Sequence, residues 1–204
     1  MSIQYFHTTV PHSGTRYINC AVEEATGLRV VQTPTFKQYK NAGEPAFVFA
    51  HVGARWIDFV KYGIENSEKP WMTVRSPIHT WGTQWKNMES PIASGNQYAW
   101  KEKLGQMRQQ YMTQRELLEE YPDLYIHKVE DGLDGLSEYL GLDLKEHERT
   151  FTRESPMKQA LKHKDLSRME LLCQQTDFFK GFQQGITPEL REFYENLGYE
   201  IWWA

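Results

Sequence analysis

Short apolar-rich runs punctuate the chain at residues 3–10, 46–51, 71–75 and 124–127, and between most of them the apolar positions switch to spacings of three and four. The first pattern predicts strands and the second predicts helices. Ile18, Ala21, Val22 and Ala25 form one stripe, so a helix is expected to begin near Gly14 and Thr15. Ser76 and Pro77 offer a cap and a first helical position, followed on one face by Ile78, Trp81, Gly82 and Trp85. The longest helix is expected over 97–120, where Trp100, Leu104, Met107, Tyr111 and Leu118 recur before Pro122 stops the run. Leu133, Leu136 and Leu140 mark a short helix capped by Gly141, and Pro188 opens a last one through Leu197. Residues 28–32 read as a further short strand without an assignable partner. The strand at 124–127 is expected to run on into Val129, Glu130 and Asp131.

Strands that alternate with helices imply an α/β fold with a parallel sheet covered by helices. Residues 146–168 are highly charged with little apolar periodicity, and a mobile flap is expected there. At 204 residues one domain is the expectation, and 40% hydrophobic with 25% charged residues excludes a disordered chain. No apolar run approaches the ~18 residues of a membrane span, and the N-terminus lacks a secretory signal pattern, so a cytoplasmic, membrane-free protein is expected. Cys20 and Cys173 are too few for a disulfide framework or a Cys-based zinc site, and no His pair with helical spacing suggests a metal. The net charge of -4 argues against broad nucleic-acid binding.

Candidate chemistry concentrates at residues 5–17, YFHTTVPHSGTRY, where a predicted strand passes through Ser13, Gly14 and Thr15 into a predicted helix. A helix start presents unpaired N–H groups and the positive end of the helix dipole, and small residues let an anion approach closely. The dipole contributes only about 0.3–1 kcal/mol, so the turn predicts an anion site without naming the anion.

Three ordered segments name it by likeness. PHSGTRY at 11–17 resembles the 5′-phosphosulfate loop of sulfotransferases that use 3′-phosphoadenosine 5′-phosphosulfate (PAPS). TVRSPIHTWGTQW at 73–85 resembles their 3′-phosphate element, with Arg75, Pro77 and Thr83 in the corresponding places. HKVEDGLDGLSEYLGLDL at 127–144 is similar to the family's strand ending in Glu-Asp before a short helix. The resemblance implies a three-layer α/β sandwich of P-loop type with a mainly parallel central sheet. It also implies PAPS as donor, no metal, and a hydroxyl or amine acceptor on a small molecule or saccharide. His12, Ser13, Gly14, Thr15, Arg16, Tyr17, Arg75 and Thr83 are the residues it assigns to the donor. In the family a Lys or Arg commonly precedes the Ser-Gly pair. Here His12 stands there, and a histidine of ordinary pKa ~6.5 is only about a quarter protonated at pH 7. Arg16 is the permanent cation that could replace that charge. The usual C-terminal basic element is also missing, with Arg153, Lys158 and Lys162 as stand-ins.

Sulfuryl transfer needs a base for the acceptor's proton. His51, at the end of AFVFAH, is the first choice, with His12 beside the loop and Asp58 and Glu23 in reserve. His7 is expected to be structural. Two other readings remain open: a P-loop nucleotide or nucleoside kinase, although Gly14-Thr15-Arg16 lacks the Gly-Lys-Ser/Thr order, and a noncatalytic nucleotide-binding protein of the same fold.

Overall fold

Strand β1 (Ile3–Thr9) is the centre of a five-stranded sheet ordered β2-β3-β1-β4-β5, with β2 (Val30–Gln32), β3 (Ala46–His51), β4 (Ser67–Val74) and β5 (Tyr125–Lys128). Every pairing is parallel. The computed structural model describes residues 3–32, 46–53, 55–83, 97–146, 156–172 and 176–204. In chain order its helices are α1 (Thr15–Thr26), α2 (Ile57–Glu65), α3 (77–83), α4 (Gln97–Glu120), α5 (Asp134–Leu140), α6 (Pro156–Lys162), α7 (Leu166–Leu172), α8 (Thr176–Gly185) and α9 (Pro188–Asn196). Two compact units result, Met1–Arg75 with Glu116–Glu148 and Ser76–Arg115 with Arg149–Ala204.

The first unit holds the sheet. Side chains alternate along β1, so Tyr5, His7 and Thr9 share one face and Phe6 and Thr8 the other. On the first face Tyr5, Phe47 and Trp71 pack with Ile18 and Val22 of α1 and Leu136 and Leu140 of α5. On the second, the Phe59 ring of α2 lies 6.3 Å from Phe6, and a Cβ on Gly63 would fall 2.2 Å from the Phe6 ring. Gly63 is therefore required by close approach. Helices on both faces give the three layers.

Local departures from the sequence pattern have local causes. Ala25 is exposed, and Asn19 takes a buried place on α1 because His7 offers it a hydrogen bond. Strand β4 begins at Ser67, earlier than expected, and runs through Pro70. Proline has no N–H to give a ladder. Below the Trp71–Tyr125 pair β5 has not yet begun, and the Tyr139 hydroxyl donates to the Pro70 carbonyl at 2.8 Å instead. Val129–Asp131 is a 3-10 turn and not the end of a strand.

In the second unit Trp81 of α3 sits 5.2 Å from both Phe179 and Phe182, and Phe182 stacks on Trp203 at 4.8 Å. The aromatic C-terminal end is thus core material. The Tyr194 hydroxyl donates to Gln114 at 2.9 Å, both buried. Residues 147–155 of the expected flap, with Arg153, lie outside the described residues, as do Trp85, Cys173 and the side chains of Trp100 and Lys158. The described part of that segment buries Met157, Ala160 and Leu161 of α6.

Candidate anion site at the start of the first helix

The carboxyl ends of β3, β1, β4 and β5 carry one polar row. Thr9 pairs with His51 on one side and Thr73 on the other, and Thr73 pairs with His127. Thr9, Thr73 and His127 are buried and His51 is half-buried. The chain leaves β1 toward β2 and β3 and later continues on the other side at β4. Such a switch point is where an open α/β sheet leaves a ligand crevice.

Hydrogen bonds fix the chemistry of this row. His51 Nδ1 lies 3.3 Å from the Thr9 carbonyl. A carbonyl only accepts, so Nδ1 carries the proton and Nε2 holds the basic lone pair. Burial lowers the His51 pKa below the usual imidazole value, with the Thr9 carbonyl opposing part of that shift. One level deeper, His7 Nδ1 donates to Asn19 Oδ1 at 2.7 Å and Nε2 accepts from Thr73 Oγ1 at 2.8 Å. Burial takes His7 down to about 3, and its ring stacks on Trp71 at 4.9 Å. This neutral imidazole ties α1 to β1 and β4 beneath the loop, a structural role as expected.

Above the row the chain turns through His12 at φ 66° and Gly14 at φ 78°, both left-handed, with Ser13 between them. Gly14 is the N-cap of α1 and no side chain caps the helix. A Cβ on Gly14 would stand 3.1 Å from both Val129 methyls, so the backbone conformation and Val129 both demand glycine. Ser13 is 0% exposed, and neither its Oγ nor the buried Oγ1 of Thr15 has a hydrogen-bond partner among the described residues. The Arg75 guanidinium donates from Nη1 to the His12 carbonyl at 3.0 Å, which places a permanent cation at the turn.

His12, Ser13, Gly14, Thr15 and Arg75 therefore come together, and His51 joins them through Thr9. Arg16 is exposed on the first turn of α1. The Tyr17 hydroxyl donates to Glu146 Oε1 at 3.0 Å. Thr83 belongs to the second unit, where its hydroxyl donates back to the His79 carbonyl at 3.1 Å. Glu23 accepts the Val30 N–H at 2.7 Å and so anchors β2, and Asp58 lies in the first turn of α2. Thr9, Thr73, Asn19 and His127 were not singled out from the sequence. Their one signal is a polar residue at alternate positions of an apolar strand, as in His7 and Thr9 or Thr73 and Arg75. Among the described residues no three His, Cys, Asp or Glu side chains converge as metal ligands.

No family model matches this chain, and no curated protein matches it. Among solved structures it is similar to mouse sulfotransferase SULT7A1 complexed with PAP, with 15% identity, 96% of this chain and 82% of that chain covered, and a TM-score of 0.48. A superposition that loose carries no weight for the site, whose case rests on its own geometry.

Proposed function

We propose that the turn at residues 11–17 binds the 5′-phosphosulfate of PAPS and that the protein transfers the sulfuryl group to a hydroxyl or amine acceptor. The observation that supports this most is the pair of buried, unpartnered hydroxyls on Ser13 and Thr15 at an uncapped helix start. Each orphaned hydroxyl costs about 1–3 kcal/mol, and an anion with several acceptor oxygens relieves both. The uncapped N–H groups of α1 point the same way. Among anions, the order of the three segments favours a phosphosulfate over a triphosphate, because the turn has Thr15-Arg16 where a kinase loop needs Lys-Ser/Thr.

When bound, PAPS supplies the sulfuryl group and departs as 3′-phosphoadenosine 5′-phosphate (PAP). The N–H groups and hydroxyls of residues 13–15 hold the oxygens that gain charge on the leaving side. Arg75 adds positive charge at the turn, and the likeness to the 3′-phosphate element extends its role to that phosphate. His12 and Arg16 flank the turn, with Arg16 as a second permanent charge beside Arg75. His51 Nε2 accepts the acceptor's proton, a step typically worth 10²- to 10⁴-fold.

The test is transfer of labelled sulfate from PAPS to a panel of phenols, sugars and amines. Transfer to at least one class, abolished in His51→Ala while PAP still binds, is expected. Binding without transfer across the panel leaves a noncatalytic nucleotide-binding protein. Magnesium-dependent ATP turnover abolished by Gly14→Val makes the chain a kinase.

A further inference from the structure

The second unit contains a cavity of about 280 Å³ between α4 and α8, just below the ~300–1,000 Å³ range of small-molecule sites. Leu104, Met107, Phe182 and Ile186 make its apolar wall, and the exposed Arg108 stands at its rim. Three glycines belong to the lining: Gly181 in α8, Gly105 inside α4, where glycine is among the least favourable residues, and Gly185 as the last residue of α8. For Gly105 and Gly185 no close neighbour accounts for the glycine. Neither has a positive φ, and a Cβ on either would meet no atom within 4 Å. Gly63 and Gly82 are the contrast, since Cβ atoms there would fall 2.2 Å from Phe6 and 2.5 Å from Leu161. Gly105, which is exposed, and Gly185 leave the cavity wall free of side-chain atoms at their positions.

We infer that this cavity binds a small aromatic or aliphatic molecule bearing one carboxylate or sulfonate, with its apolar body against Met107 and Ile186 and its anion on Arg108. The planar guanidinium suits a two-oxygen anion, and its attachment to a rigid helix orients that pairing. Glu189 is an acid whose carboxyl feels Arg108. Its carboxyl is held below the usual range by the Thr187 hydroxyl and its own backbone N–H, with Arg115 and Arg108 contributing. An incoming anion competes with it. This site stands independently of the sulfotransferase reading, because none of its lining residues is assigned to the donor or to the base.

The test uses the full chain labelled at its methionine and isoleucine methyls, titrated by NMR with 2-naphthoate and with the neutral 2-naphthalenemethanol. The carboxylate is expected to shift the Met107 and Ile186 signals and to bind at least about fivefold more tightly than the alcohol. Arg108→Gln is expected to erase that preference and Glu189→Gln to widen it. Gly105→Phe is expected to block both probes, with Gly105→Leu as the smaller filling variant should the first lose cooperative unfolding. Equal affinity for acid and alcohol overturns the assignment, as does binding that survives the filling variant, or an absence of methyl shifts at millimolar probe.

Discussion

Two helix starts in this protein solve the same problem in opposite ways. At the start of α9, Thr187 adopts an extended conformation, its hydroxyl accepts the Leu190 N–H at 3.4 Å, and Pro188 occupies the first helical position without an N–H to leave unpaired. At the start of α1, the cap is a left-handed glycine with no side chain, and the two neighbouring hydroxyls are buried without partners among the described residues. The first start is complete by itself. In the proposed reading the second is completed by a ligand that brings its own acceptor oxygens, which would separate a structural cap from a binding site.

The comparison can be broken first at the chemistry. His51→Ala is expected to lower turnover by about 10²- to 10⁴-fold while PAP affinity changes less than about twofold in calorimetry. In the unaltered protein, burial disfavours the charged imidazole, so His51 stays neutral and basic to lower pH than an ordinary histidine. The acidic limb of the pH–rate profile is therefore expected below ~6.5, and a limb above that value assigns the base elsewhere. Next in size, Gly14→Val places a β-branched side chain at φ 78° against Val129. A loss of PAP affinity of about 100-fold or more is expected, together with a lower Tm, since a left-handed residue costs roughly 1–2 kcal/mol. Unchanged affinity places the ligand away from the turn. Arg75→Ala removes both a charge and the bond to the His12 carbonyl, and about tenfold weaker binding is expected.

The smallest effects sharpen the contrast most, because they differ in sign. Thr187→Ala removes a satisfied cap and is expected to lower stability by about 1 kcal/mol with PAP affinity intact. Ser13→Ala removes an unsatisfied hydroxyl, so it is expected to raise the stability of the ligand-free protein by about 1 kcal/mol while weakening PAP binding several-fold. Denaturant titrations of the two variants, each with and without PAP, read both signs.

Much of this site is legible along the chain, since a strand, small residues and a helix stripe follow one another within 5–22. Gly141 as a cap, Pro188 as an opener and the strand–helix alternation that implies a parallel sheet are legible for the same reason: each depends on neighbours close in sequence. The layer beneath the turn is not. His7 finds Asn19 twelve residues away and Thr73 sixty-six away, and local periodicity treats such polar residues as interruptions. The left-handed His12 is equally hidden, because its conformation is held in part by Arg75 from another strand. Pro70 reads as a strand breaker and is tolerated only because β5 has not yet begun beside it.

The most direct measurement is a calorimetric titration of PAP into the wild-type chain and into Ser13→Ala. One-to-one binding by the wild type is expected, with several-fold weaker binding by a variant whose ligand-free form is the more stable. No heat at millimolar PAP, or equal affinity in the two proteins, contradicts the claim that the start of α1 is built to hold a phosphate-bearing ligand.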